Sequence, residues 1–260
     1  AAMPVWLPHY TQEFKLSAVI AEKLMKMSAR TIARLLDSHK KNLAKKEQCK
    51  THAASKRAKY KIPIKNFSMK IKTPGFVEAD TVAHCSNSLL GPHHWTLTVT
   101  DIATTWTELE IMNDKTAQNT KDAVTLIQGR LPFVIKHFHS DCGTEFLNDE
   151  IMRYLSNPHS YIVQTRGRAY KKNDQAHVEQ KNHSHVRTLL GYYRYDTQDE
   201  LRLIQEIYRN EQSLLMNFFT PQRKLKEKIK IGSRYKRSYG LMLTPYQRVL
   251  DSEYVNEKTK

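Results

Sequence analysis

The sequence predicts an α/β protein, a mixed five-stranded sheet flanked by helices, and three observations carry that prediction. From residue 75 onward, short runs rich in Val, Thr and aromatics alternate with runs of helical periodicity. These runs fall in the order β β β α β α β α. The block they occupy, residues 71–195, holds 13 basic and 13 acidic side chains and is electroneutral, as a folded body between charged flanks would be.

The first elements are helical. Residues 12–26 (QEFKLSAVIAEKLMK) and 28–46 (SARTIARLLDSHKKNLAKK) place apolar residues at helical spacing, with Ser28 set to cap the second helix. The pair reads either as a helix-turn-helix-like unit or as an ordinary helical hairpin with a solvated basic face. Residues 47–62 are basic with little apolar periodicity, a linker or a DNA-tracking arm. Strands are predicted at 75–84 (GFVEADTVAH), 95–102 (WTLTVTDI) and 104–111 (TTWTELEI), together an antiparallel meander. A helix at 116–130, a buried strand at 132–140 (PFVIKHFHS), a helix at 148–157, a strand at 161–165 and a helix at 174–190 complete the series. That order is the ribonuclease H-like architecture. Behind it, 197–219 is a helix opened by a Thr197/Glu200 capping box, 221–240 is a basic stretch broken by Gly232, and Thr244-Pro245 starts a short last helix. The chain divides into a helical segment (1–46), a basic linker (47–70), the core (71–195) and a C-terminal helix with basic tail (196–260).

Charge indicates the class of partner. Lys and Arg outnumber Asp and Glu by 42 to 26, giving +16. The excess sits at the ends, +12 over residues 1–70 and +4 over 196–260. A polyanion, with nucleic acid the usual case, fits such flanks. Cys49, Cys85 and Cys142 are odd in number and form no CxxC pair, so neither a disulfide framework nor a structural zinc site is indicated. His84, His93, His94, His137 and His139 lack HxxxH spacing, which sets zinc aside. With no apolar run near the ~18 residues of a membrane span and no signal-like start, the expectation is a reduced, cytoplasmic setting. The opening Ala-Ala in place of Met points to a missing upstream part.

Three carboxylates stand out. Asp80 lies mid-strand, where an unpartnered carboxylate is costly. Asp141 directly follows a strand, at the carboxyl end where α/β sheets place sites. Glu179 lies in the first turns of its helix on the side of Val186 and Leu190, facing the sheet. Taken singly, each also reads as ordinary: a hydrogen-bonded strand residue, a turn former before Cys142-Gly143, a surface glutamate. Taken together they would repel one another without a cation, and an all-oxygen set suits Mg²⁺ or Mn²⁺.

Their surroundings resemble a known family. PGFVEADTVAH (74–84), HSDCGTEF (139–146) and YKKNDQAHVEQKN (170–182) resemble the three motifs of the retroviral-type integrase core, the DDE family, with bacterial insertion-sequence transposases nearest in character. Thirty-seven residues separate Asp141 from Glu179, close to the family's usual spacing. SARTIARLL, MNFF (216–219) and TPYQRVL (244–250) resemble the flanks of such transposases. The resemblance implies a DNA transposase or integrase in which Asp80, Asp141 and Glu179 hold two Mg²⁺ or Mn²⁺ ions for 3′-end cleavage and strand transfer. It implies DNA as partner, both element ends and target, a homo-oligomer, and no small-molecule cofactor. Lys171, Lys172 and Asn173 would contact phosphate ahead of the Glu179 helix. Arg166 and Arg168 either extend that track or are merely solvated, and His183 either meets nucleic acid or is a surface histidine. The basic stretch 223–237 with Tyr235 suits a backbone grip. Two departures are visible: Cys142 stands where the family commonly has Asn, and Ala169 where it often has Pro. Rival readings are a hydrolytic nuclease of the same fold and a non-catalytic DNA-binding remnant.

Overall fold

The computed structural model describes residues 7–8, 11–13, 15–32, 34–35, 62–65, 71–159, 161–168, 175–232 and 234–256. The helix expected over 12–26 is interrupted: residues 11–13 are helical, Lys15 then adopts φ 49°, and α1 (Ala18–Lys26) starts afresh with the Ser17 side chain accepting from the Ile20 N–H. Ser28 accepts from the Thr31 N–H at 3.1 Å, a helix-start contact, but residues 36–46 and the linker 47–61 lie outside the described residues.

The core is the predicted α/β sheet. Strands β1 (Phe76–Ala83), β2 (Trp95–Asp101) and β3 (Thr107–Met112) form an antiparallel meander. β4 (His137–Ser140) and β5 (Val163–Arg166) add to it in parallel, giving the order β3-β2-β1-β4-β5. With helices on its faces, this mixed five-stranded sheet has the ribonuclease H-like arrangement. Helices α2 (Ala117–Gln128) and α3 (Asp149–Leu155) are capped by Thr116 and Asn148. Together with Val77, Ala79, Leu97, Val99 and Phe138 they enclose the main apolar core.

Two strand expectations are too long. β3 begins at Thr107 because Asp101 folds residues 101–106 into a turn, accepting from the Thr104 N–H at 2.7 Å and its hydroxyl at 2.8 Å. Only His137–Ser140 of the run 132–140 pairs in the sheet, with Gly75 opposite Lys136 at the entry. Gly75 holds φ +100°, and a Cβ there would stand 2.4 Å from the Val134 carbonyl, so glycine is required at this crossing. Residues 62–65 cover the edge of β5, with Arg166 N–H donating to the Pro63 carbonyl.

The other face is covered by α4 (Ala176–Lys181), which runs on through a π-helical stretch, Asn182–Arg187, to Thr188–Leu190. Beside it lies α5 (Gln198–Ile207), whose Thr197/Glu200 capping box is present as predicted. Such a cap contributes on the order of 1 kcal/mol. Two π-helical stretches, Tyr208–Gln212 and Leu215–Phe219, continue α5. Val186, Leu190, Ile204 and Tyr208 pack on Val82, Leu109 and Ile111. β1 therefore sends Val77 and Ala79 toward the main core and Glu78, Asp80 and Val82 toward α4.

The largest correction concerns the basic stretch after α5. It is an antiparallel hairpin, β6 (Gln222–Ile231) and β7 (Arg234–Leu243), turning at Gly232 with φ +59°. The first strand does alternate, Lys224, Lys226, Lys228 and Lys230 against Leu225, Glu227, Ile229 and Ile231, and a reading by net charge passes over that period of two. The last helix, α6 (Pro245–Leu250), has a Thr244/Gln247 capping box, and Val249 and Val255 pack on Trp106.

Candidate active site

Asp80 sits midway along β1 on the α4 side, and its two oxygens are held by neutral donors. Thr81 N–H donates to Oδ1 at 2.8 Å and Asn182 Nδ2 to Oδ2 at 2.7 Å. Burial, then Asp141, Glu145 and Glu179, hold its carboxyl well above the usual range. Asp141 comes directly after β4 and accepts the Gly143 N–H at 2.8 Å. Burial and Glu145 push its pKa up to about 6, against the lowering by Lys115. The sheet explains the convergence: β1 and β4 are parallel neighbours, so the middle of one and the carboxyl end of the other approach the same place.

Two further carboxylates belong to this region. Glu145, 5% exposed, accepts from the Thr81 hydroxyl at 2.8 Å through Oε1, while buried Oε2 has no hydrogen-bond partner and Lys115 Nζ stands 3.8 Å away. Gly143 makes room for it, since a Cβ at that position would be 2.6 Å from the Glu145 carboxyl carbon. Glu78 accepts the N–H groups of His177 and Val178, both at 3.0 Å, and so ties β1 to the start of α4. Burial raises its pKa to about 7. Sequence reasoning passes over both, although each leaves a signal. Glu145 lies inside HSDCGTEF, and Glu78 is two residues from Asp80, hence on the same face of β1.

The other expected residues divide between the mouth of this cluster, the interior and the exposed surface. Glu179 is exposed, and Val178, fully buried, takes the place facing the sheet. The reason is the register of α4: the π-helical stretch beginning at Asn182 offsets the later turns, so Val186 and Leu190 do not define the face of Glu179. Glu179 nevertheless acts electrostatically on both Asp80 and Glu78, which places it at the mouth of the cluster. His183 is exposed farther along this helix. Arg166 turns inward, its Nε donating to the Ile62 carbonyl at 3.1 Å and Nη1 lying 3.7 Å from the Cys142 sulfur. Arg168 is exposed. Lys171, Lys172 and Asn173 lie outside the described residues. The Cys142 thiol faces the Gly167 carbonyl at 3.6 Å, so it links the Asp141 turn to the loop after β5.

Among the described residues, no three His, Cys, Asp or Glu groups converge into a preformed metal cage. The donor chemistry still fits a hard divalent cation: all oxygen, mutually repelling, with one buried carboxylate oxygen left unsatisfied. A cation reaching Asp80 Oδ2 would take that oxygen from Asn182.

The fold and site define a ribonuclease H-like α/β protein with an acidic cluster at the junction of β1 and β4. No family model matches the chain. The "Uncharacterized protein y4rM" of Sinorhizobium fredii (strain NBRC 101917 / NGR234) is 32% identical over 249 residues, spanning 95% of this chain and 70% of that protein. The chain belongs to the same family as this rhizobial protein. Among solved structures, the catalytic core domain of BIV integrase is 18% identical, covering 69% of this chain and 96% of its own, with a TM-score of 0.43. A chain of the simian T-cell lymphotropic virus intasome in complex with PP2A regulatory subunit B56 gamma is 11% identical over 95% of this chain and 73% of its own, with a TM-score of 0.47. No helix among the described residues is long and apolar enough to cross a membrane.

Proposed function

We propose that the chain is a metal-dependent DNA transposase or integrase, with Asp80, Asp141 and Glu179 as the ligands of two Mg²⁺ or Mn²⁺ ions. One observation carries the reading: Asp80 is buried beside Asp141, Glu145 and Glu179 and, among the described residues, has only neutral hydrogen-bond donors on its oxygens. A fold does not retain such repulsion without a use for it. The motif resemblance around the same three residues supports the identity of the use.

The ions, when bound, activate an attacking oxygen and stabilise a leaving one in an in-line displacement at phosphorus. The protein's share is positional. Asn182 and Thr81 N–H fix the plane of the Asp80 carboxylate, and the Gly143 N–H fixes Asp141. Glu78 anchors the first turn of α4 and so sets where Glu179 stands at the mouth. Arg168, Lys171, Lys172 and Asn173 supply phosphate contacts in this reading. Residues 71–195 are the catalytic part, the segments 1–46 and 47–70 are DNA-holding arms, and further copies of the chain bridge two DNA ends.

Purified protein with Mn²⁺ and element-end DNA gives 3′-nicked and joined products in this reading. Cleavage without joining identifies a hydrolytic nuclease instead, and binding without either identifies a remnant. Full activity in Glu179→Gln would remove Glu179 from the ligand set.

A further inference from the structure

Among the described residues, the hairpin β6–β7 is packed only at its root. Lys224 Nζ donates to the Ala103 carbonyl at 2.8 Å, Arg248 reaches the Gln222 carbonyl, and Lys181 reaches the Gln222 side chain. Across residues 226–231 and 234–239, every side chain is exposed, on both faces of the ribbon. An isolated two-stranded ribbon is marginal in water, so a ribbon of this form is stabilised by what it meets. Residues 226–239 carry six Lys and Arg against one Glu, and that excess points to a polyanion.

The pairing register sorts these charges by face. Lys228 pairs with Arg237 and Lys230 with Tyr235, so these four side chains project together. The Lys228 ammonium lies 4.5 Å from the Tyr235 ring centroid on that side. Ile229 pairs with Lys236 and Ile231 with Arg234 on the opposite face. The free part, six residues per strand, reaches about 20 Å, more than half a turn of B-form DNA. The ~12 Å major groove of B-DNA admits a two-stranded ribbon, whereas the deep, narrow groove of A-form RNA does not.

We infer that β6–β7 is a duplex-DNA-binding ribbon that lies in the major groove with Lys228, Lys230, Tyr235 and Arg237 against the DNA. This deepens the proposed function and rests on it for the choice of DNA as the polyanion. Lys181 ties the root of the ribbon to α4, the helix that carries Glu179, so the ribbon and the acidic cluster are both connected to that helix. Each phosphate contact to B-DNA contributes about 0.9 to the slope of log affinity against log salt.

The test is fluorescence anisotropy of a labelled DNA duplex three helical turns long, with the full chain, in EDTA, across a KCl series. Two double variants remove equal charge: Lys230→Gln with Arg237→Gln on one face, and Arg234→Gln with Lys236→Gln on the other. The first is expected to flatten the salt slope by about 1.8 and weaken binding roughly tenfold or more, and the second to do less than half of that. Equal losses from the two pairs would mean undirected charge attraction and overturn the inference. So would an unchanged slope in the first pair, or equal affinity for an RNA duplex of the same length. All four side chains are exposed, so circular dichroism and Tm should match the unmodified protein. The assay contains no divalent metal. A chain that fails to join DNA but shows the face-dependent slope loses the proposed function and keeps the ribbon; the reverse result loses the ribbon alone.

Discussion

Two groups of buried carboxylates share one sheet, and they are treated in opposite ways. On β3, Glu108 and Glu110 are each about 1% exposed and fully engaged. Arg130 reaches Glu108 at 3.2 Å and Glu110 at 2.8 Å, Arg209 reaches Glu110 at 2.6 Å, and Trp106, Ser213 and Asn217 donate to Glu108. At the β1–β4 junction, Asp80 and Asp141 are met by backbone N–H groups and an asparagine, and Glu145 by a threonine and a lysine 3.8 Å away. The first arrangement neutralises charge and adds to stability only through completed pairing. The second meets its negative charge with a single lysine, Lys115, among the described residues, in a chain with sixteen more basic than acidic residues. Where cations abound in the sequence and a buried cluster is still met mainly by neutral donors, the incomplete compensation is a property of the site and not of composition.

The sharpest way to break this comparison is to neutralise one member of each group. Asp80→Asn is expected to lower metal-dependent DNA cleavage by about 10³-fold or more, since a bound cation supplies several kcal/mol of transition-state stabilisation. The same variant should be as stable as the parent or more stable in metal-free buffer, because a repelled buried charge is gone. Urea unfolding and a nicking assay read the two effects, and a large loss of stability would place Asp80 with the structural group. Arg130→Met should do the reverse. It leaves Glu108 without a cation while Glu110 keeps Arg209, costing about 3 kcal/mol in urea unfolding, with Mn²⁺ affinity unchanged.

Most of the sheet is legible in the sequence because its strands are bounded by turn chemistry and its helices by caps at Thr116, Asn148 and Thr197. The hairpin is not, because cation alternation mimics a charged tail. In the site, Asp80 and Asp141 can be placed from strand position alone. Periodicity misorients Glu179 because a π-helical stretch has no signature in the spacing of apolar residues. Glu145 escapes for a different reason: its role depends on a turn that brings its carboxyl over Gly143 and under Thr81, a tertiary contact that periodicity does not encode.

A third prediction uses pH to separate the sheet's interior from its acidic end. His84 is fully buried, bonded through Nε2 to the Thr96 hydroxyl at 2.7 Å and onward to Tyr208. Burial, then Arg187, His94 and His93, lower its pKa to about 3. Its folded pKa lies below the unfolded value near 6.5, so the unfolded chain takes the proton first. Stability is intact above pH 6.5 and falls as pH drops toward 3. His84→Gln keeps a donor for Thr96 and removes this titration, so the variant's stability should decline less steeply, by about 1 kcal/mol per pH unit between pH 6 and 4. Parallel curves for the two proteins would show that His84 does not carry the acid sensitivity.

The smallest expected effect tests whether Glu145 belongs with Asp80 or with Glu108. Both glutamates are buried on the same sheet assembly and both accept from a hydroxyl, Thr81 in one case and Ser213 in the other. They differ in what the second oxygen meets. Glu108 gives its other oxygen to Arg130, whereas Glu145 Oε2 is unsatisfied and stands beside Asp141 in the electrostatics of the cluster. Glu145→Gln keeps the shape and the bond from Thr81 while removing a charge from the cluster. Residues that support metal ligands typically cost about 10–100-fold in affinity when changed, and the lower end applies because Lys115 already offsets part of this charge. Mn²⁺ binding by calorimetry should therefore weaken about tenfold in Glu145→Gln and stay at the parent value in Glu108→Gln. If the two variants bind Mn²⁺ equally well, the unsatisfied oxygen of Glu145 is only a cost of packing, and the cluster contracts to the residues on either side of it.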